Sequence, residues 1–137
     1  MIDDTAAAAA TTATAAADLA LGLYARELNA QGVVTDAADV ARLRFELESG
    51  AAVLWPRDQA FAILRKPGSF GQVLCFVWVE PARRRTGYGR RLVLELLAQF
   101  PEYPWRLKCH VDQRAFFTRL GFRVVERAGV LREMQSR

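Results

Sequence analysis

Val79-Glu80-Pro81-Ala82-Arg83-Arg84-Arg85-Thr86-Gly87-Tyr88-Gly89-Arg90-Arg91-Leu92 joins an apolar run to an amphipathic one. Upstream, Gln72 to Val79 has almost no polar residue, which predicts a central strand buried on both faces. Downstream, Leu92, Val93, Leu96, Leu97 and Phe100 recur at helical spacing, and Pro101 and Pro104 end the pattern. A strand running into a helix leaves the first N–H groups of that helix without partners, and the helix dipole adds partial positive charge there. Gly87 and Gly89 let a ligand approach the main chain with no Cβ in the way. A diphosphate on the N–H groups from Arg85 to Arg90 is the natural occupant, and five arginines within 83–91 attract it.

Two familiar phosphate motifs do not fit. A dinucleotide fingerprint needs a third glycine, and a Walker loop needs Gly-Lys-Ser/Thr. The pattern V-x-P-x-x-R-x-x-G-x-G does fit, through Val79, Pro81, Arg84, Gly87 and Gly89. It resembles the acyl-CoA pyrophosphate loop of the GNAT superfamily of N-acetyltransferases. Ala115-Phe116-Phe117-Thr118-Arg119-Leu120-Gly121-Phe122 is similar to that family's C-terminal helix beside the cofactor tail. The resemblance spans about residues 36–134 in element order. It departs at the N-terminus, where no first strand precedes the first helix.

The resemblance implies an α/β fold with a mixed, mostly antiparallel sheet flanked by helices. It also implies acetyl-CoA, or another acyl-CoA, as co-substrate. The implied cofactor contacts are Val77, Val79, Arg84, Arg85, Thr86, Gly87, Tyr88, Gly89, Arg90, Asp112 and Phe117, with no metal. A splayed gap between the strand ending at Val79 and the strand Trp105 to Cys109 would expose main-chain groups to the pantetheine amides.

An amine attacking the thioester directly requires three things: a polarised carbonyl, a neutral amine and a proton for the departing thiolate. The position where the family carries a tyrosine acid aligns with Phe117, which has no proton to give. Tyr88, Tyr103 or a water would then serve, the thiolate would leave unaided, or the protein would bind CoA without turnover. Phe117 is equally readable as plain core. Glu80, His110 and Asp112 are the candidate bases. Glu80 ends the central strand and also reads as a solvated carboxylate. His110 ends the next strand and also reads as structural. Asp112 reads first as the cap of the short helix and second as a cofactor contact. Glu80 and His110 are the two assigned to catalysis. Cys109 reads as inert packing, facing away from its neighbour His110.

Outward from the loop, the rest of the chain is organised by periodicity. Residues 5–17 are only alanine and threonine, so 1–18 reads as a flexible tail or loose helix start and 19–137 as one domain. Leu21, Tyr24, Ala25 and Leu28 predict a helix ending near Gly32. A second helix is capped by Thr35 or Asp36, lined by Val40, Leu43 and Leu47, and stopped at Ser49-Gly50. Ala51 to Trp55 and Ala60 to Leu64 form a hairpin broken at Pro56-Arg57-Asp58, with a turn at Lys66-Pro67-Gly68. Gln113 to Leu120 is a short helix closed by Gly121, with Phe122 packing back, before strands Phe122 to Val125 and Val130 to Met134. The element order is α-α-β-β-β-α-β-α-β-β.

The chain has 137 residues, 52% hydrophobic and 25% charged, which excludes disorder as the main state. Its longest apolar run outside the alanine-rich start, Val73 to Val79, falls far short of the ~20 residues that cross a bilayer. Asp3 and Asp4 stand where a secretory leader wants positive charge, and Cys75 and Cys109 lie in apolar stretches without metal spacing. The expectation is a cytoplasmic protein with no membrane partner. Residues 1–70 carry a net −3 and residues 71–137 a net +7, for a total of +4. The acceptor is expected to be a small-molecule or protein amine. A nucleic-acid-modifying enzyme is the alternative the positive half allows, although CoA already accounts for the arginine cluster. A catalytically silent CoA-binding domain is the other alternative, and a homodimer is left open.

Overall fold

The computed structural model describes residues 4–30 and 37–136, with side chains described from residue 16. Helix α1 spans Asp4–Ala30 and α2 spans Ala37–Ser49. The alanine- and threonine-rich start is therefore the first half of α1. Ala20, Leu21 and Leu23 are buried on α1 and Leu43 on α2, while Tyr24, Ala25, Leu28, Val40 and Leu47 are half-buried. Asp18 and Arg44 pair between the two helices. The expected stop at Gly32 and caps at Thr35 and Asp36 lie outside the described residues. Gly50 follows α2 with φ 85°, as a glycine stop requires.

The chain gathers into two units, Met1–Ser49 and Gly50–Arg137. The division falls at the Ser49-Gly50 stop, within the span 19–137. The second unit holds β1 (Ala52–Arg57), β2 (Ala60–Arg65), β3 (Val73–Val79), α3 (Tyr88–Gln99), β4 (Arg106–His110), α4 (Arg114–Arg119), β5 (Phe122–Ala128) and β6 (Leu131–Ser136). The order along the chain is the expected one. Six strands make one sheet in the order β1-β2-β3-β4-β6-β5, and only the β3–β4 pair is parallel. The last hairpin folds back so that β6, not β5, pairs with β4.

Three details differ from the periodicity. Pro56 and Arg57 continue β1 where a break was expected, because β1 is an edge strand and a proline there costs no ladder bond. β5 and β6 each run two or three residues further than expected, to Ala128 and Ser136. Although β3 is central, only Leu74 in it is buried, and the other six residues are half-buried. β3 is also paired almost entirely along one side. Against β2 it pairs from Ala60↔Val79 to Arg65↔Val73, but its one ladder pair with β4 is Val73↔Arg106.

The register against β2 shifts between Ile63 and Leu64, leaving Cys75 as the extra residue on β3. This bulge reverses the alternation, so Leu74 shares a face with Val77 and Val79. That face carries the core. Leu92, Val93 and Leu96 of α3 and Phe117 of α4 pack with Ala60, Ala62, Leu64, Leu74, Leu107, Cys109, Phe122 and Met134. Burying these side chains contributes roughly 1.5–3 kcal/mol for each large one. On the other face Phe61 stacks on Trp78, with ring centroids 5.5 Å apart.

Candidate active site

The loop from Val79 to α3 is built by its own arginines. Glu80 donates its N–H to the carbonyl of Gln59 at 2.8 Å, and Pro81–Arg83 form a single 3-10 turn. Arg84 donates its Nε to the carbonyl of Val79 at 2.9 Å, so the guanidinium folds back onto the strand it follows. The Thr86 hydroxyl donates to the carbonyl of Arg83. The backbone turns left-handed at Arg85 (φ 65°) and again at Gly87 (φ 89°). Arginine in that region costs about 1 kcal/mol, which the surrounding bonds must offset.

Gly87 is the N-cap of α3, and its carbonyl accepts the N–H of Arg91 at 3.0 Å. By helix geometry the N–H groups of Tyr88, Gly89 and Arg90 have no acceptor within the helix. A Cβ on Gly89 would stand 3.4 Å from Phe116 Cζ and 3.5 Å from Val79 Cγ2. Gly89 thus brings α3 close to both β3 and α4. Above the first turn, the Arg83 and Arg91 guanidiniums lie 5.9 Å and 5.6 Å from the centroid of the Tyr88 ring. The surface here is cationic, with Arg83, Arg84, Arg85, Arg90 and Arg91 all exposed.

Past Val73↔Arg106, β3 and β4 share no ladder pair among the described residues, and their facing edges are open where Val77 and Val79 lie. Val77 and Val79 pack their side chains against the core, so the groups left for a ligand at that edge are main-chain ones. Glu80, half-buried, sits where β3 meets the loop. His110 ends β4, and its Nδ1 accepts the N–H of Asp112 at 3.2 Å. The Asp112 carboxylate is also 3.2 Å from that nitrogen and is exposed.

The expected capping role of Asp112 is therefore reversed. His110 caps the 3-10 turn Val111–Gln113, and Asp112 lies inside that turn with its side chain in solvent. Gln113 precedes α4 without a side-chain cap bond. Gly121 closes α4 with φ 96°, and Phe122 packs back edge-to-face on Phe117 at 5.7 Å. Phe117 is 8% exposed within the core, whereas its neighbour Phe116 is 36% exposed and lies beside Gly89 in the first turn of α3. The helix phase selects Phe116 for that contact, which the Phe-Phe doublet alone does not reveal.

Tyr103 is not near the loop. Its carbonyl accepts from Gln72 at the start of β3, and its ring lies 4.3 Å from that of Phe70. The seven residues of β3 separate that end from Val79 by about 20 Å. Gln59, by contrast, had no signal in the sequence. It sits in the β1–β2 turn with φ 60° and accepts from both Glu80 N–H and Arg83 Nε. Cys109 is buried 3.7 Å from Met134 Sδ, and burial pushes its thiol up, with Arg132 partly opposing. Among the described residues, no three His, Cys, Asp or Glu side chains gather as a metal site, and no helix is long and apolar enough to cross a membrane.

Comparison with known proteins gives a consistent picture. The acetyltransferase (GNAT) domain model matches residues 33–124. No curated protein matches the chain. Among solved structures, the PaiA N-acetyltransferase of Thermoplasma acidophilum in complex with coenzyme A superposes with a TM-score of 0.58 at 16% identity, covering 73% of this chain and 70% of its own. A GNAT-family acetyltransferase from Staphylococcus aureus Mu50 gives 0.60 at 12% identity, over 82% and 85% of the two chains. A Bacillus subtilis acetyltransferase in complex with CoA gives 0.55 at 13%, over 70% and 82%. At these identities the likeness is one of fold.

Proposed function

The chain belongs to the GNAT acetyltransferase family, and from that premise we propose that it transfers an acetyl group from acetyl-CoA to a primary amine by direct attack. The observation that carries this reading is the joint opening of two features at one end of β3. The strand's edge is unpaired toward β4, and it runs into a glycine turn that presents the first N–H groups of α3. In this reading the diphosphate rests on the N–H groups of Tyr88, Gly89 and Arg90, with Arg85 and Arg90 supplying charge. The pantetheine amides add main-chain hydrogen bonds along the open edge.

The amine nitrogen bonds to the thioester carbon, the C–S bond breaks, one proton leaves the nitrogen and one reaches the sulfur. Glu80 suits the base better than His110. His110 Nδ1 is already engaged, 3.2 Å from both the N–H and the carboxylate of Asp112. Phe117 holds the position where the family resemblance expects the tyrosine acid. With Tyr103 at the far end of β3, Tyr88 or a water is the remaining donor to the thiolate. The acceptor is a small-molecule or protein amine in solution.

The test is thiol release from acetyl-CoA over a panel of amines, with calorimetry of CoA binding alongside. The proposal expects CoA binding and turnover, with kcat reduced in Glu80→Gln at unchanged KM for acetyl-CoA. CoA binding without transfer to any amine would replace it by a silent CoA-binding domain, which the absent phenol at Phe117 favours. No CoA binding at all would overturn both.

A further inference from the structure

Arg83 is one of five arginines within 83–91, and it is tied to its neighbours through its N–H, its carbonyl and its Nε. Its N–H donates to the Glu80 carbonyl at 2.8 Å, and its own carbonyl accepts from the Thr86 hydroxyl. Its Nε donates to Gln59 Oε1, and its guanidinium lies 5.9 Å from the Tyr88 ring centroid. Gln59 in turn accepts the Glu80 N–H on its main-chain carbonyl at 2.8 Å. One residue of the β1–β2 turn therefore holds the loop at its root through its main chain and at Arg83 through its side chain.

Gln59 has φ 60°, a left-handed region that glycine or asparagine adopts more readily than a longer side chain. Glutamine stands there nonetheless, and its side-chain amide is long enough to meet Arg83. From this geometry we infer that Gln59 is a positioning residue for acetyl-CoA. Through Arg83 and Tyr88 it fixes the first turn of α3 relative to the end of β3, so that the N–H groups of Tyr88, Gly89 and Arg90 are set before the diphosphate arrives. Arg83 thereby serves the loop's shape. The inference rests on the CoA-binding reading above for its consequence, and on the apo protein for its mechanism.

Asparagine suits the left-handed turn but is one methylene too short to reach Arg83, so Gln59→Asn isolates the side-chain bond without straining the turn. In the full-length chain without ligand, amide exchange from Thr86 to Arg90 is expected to speed up in Gln59→Asn and in Arg83→Ala, while the melting midpoint stays near that of the native chain. With CoA, Gln59→Asn is expected to weaken binding about five- to tenfold and to raise KM for acetyl-CoA at unchanged kcat. The double variant is expected to be no weaker than Arg83→Ala alone. Gln59→Glu, whose carboxylate accepts the same guanidinium, is expected to restore native exchange rates and most of the affinity. Native exchange and native CoA affinity in Gln59→Asn, or losses that add in the double variant, would overturn the inference. Should the native chain not bind CoA, the function proposed above falls, while the exchange rates still decide whether Gln59 orders the loop.

Discussion

Arg84 Nε donates to the main-chain carbonyl of Val79 at 2.9 Å, tying the loop to the last residue of the strand it leaves. The arginine that matches the family signature is therefore engaged in holding the turn. Arg83 is engaged likewise, through Gln59. Arg85 and Arg90 are exposed and stand on either side of Gly87 in the sequence.

This arrangement ranks the arginines. Arg85→Ala and Arg90→Ala are each expected to cost ~1–3 kcal/mol of CoA affinity, with a shallower salt dependence and an unchanged melting midpoint. Arg84→Ala should loosen the loop as well as weaken CoA, seen as faster amide exchange around Arg85. Calorimetry at two salt concentrations reads the affinities, and equal small losses at all five positions would point to diffuse attraction instead.

Gly89 is the second residue of α3, where a carboxylate is favoured by the helix dipole and, on the proposed placement of CoA, would repel the diphosphate. Gly89→Glu is expected to fold and to lose CoA binding. Gly89→Ala should retain most of it, since its Cβ would sit 3.4 Å from the tip of Phe116 and 3.5 Å from Val79, contacts that small movements relieve. Circular dichroism checks the fold and calorimetry the binding. Full affinity in Gly89→Glu would mean the diphosphate sits elsewhere.

The two phenylalanines of α4 should separate by their burial. Phe117→Ala removes a ring that packs on both Phe116 and Phe122 and should cost ~3–5 kcal/mol in urea unfolding. Phe116→Ala should cost clearly less, because 36% of that residue is already exposed. Phe117→Tyr should lower stability modestly by burying a hydroxyl. If the ring end reaches the gap between β3 and β4, it should raise single-turnover transfer at saturating acetyl-CoA, as an added acid would. An unchanged rate would place the proton donor at Tyr88 or water.

Arg57 reaches from β1 to Glu95 on α3 with two bonds, Nε to Oε2 at 2.8 Å and Nη2 to Oε1 at 2.7 Å. Its guanidinium bond holds the Glu95 carboxyl below the usual glutamate range and raises the arginine in turn. A carboxyl that is more acidic in the folded state than in the unfolded chain stabilises the fold above the ordinary glutamate value. That contribution disappears as pH falls through the lowered value. The native chain should therefore melt slightly above Glu95→Gln at neutral pH, and the two should converge in strong acid. The pair is exposed, so the difference should be small and shrink with added salt. Melting curves from pH 7 to 3 make the comparison, and a gap that grows in acid would contradict it.

The order of elements and the glycine turn before α3 were legible because their causes are local. Glycines 87 and 89 before a helical run fix where a helix starts and what its N–H groups face, and Gly121 fixes where α4 stops. The alternating and helical periods also located the strands to within a few residues. What misled the sequence reading was non-local. An unbroken apolar run reads as fully buried, but β3 is open along one side because β4 pairs with it only at Val73↔Arg106. Pro56 reads as a break, yet it continues a strand that happens to lie at the sheet's edge.

By itself, then, the sequence determined the family resemblance, the α/β order and the glycine turn that starts α3, each of which is read from short local stretches of chain. Only the tertiary structure decided how the side chains divide the work. It gave Asp112 to solvent and capping to His110, put Phe116 rather than Phe117 against Gly89, sent Tyr103 to the far end of β3, and brought Gln59 to Arg83 across 24 positions of chain. Those assignments depend on which way each strand and helix turns its residues once the sheet has closed. A contact between distant residues leaves no periodicity in either segment, so no local pattern carries it.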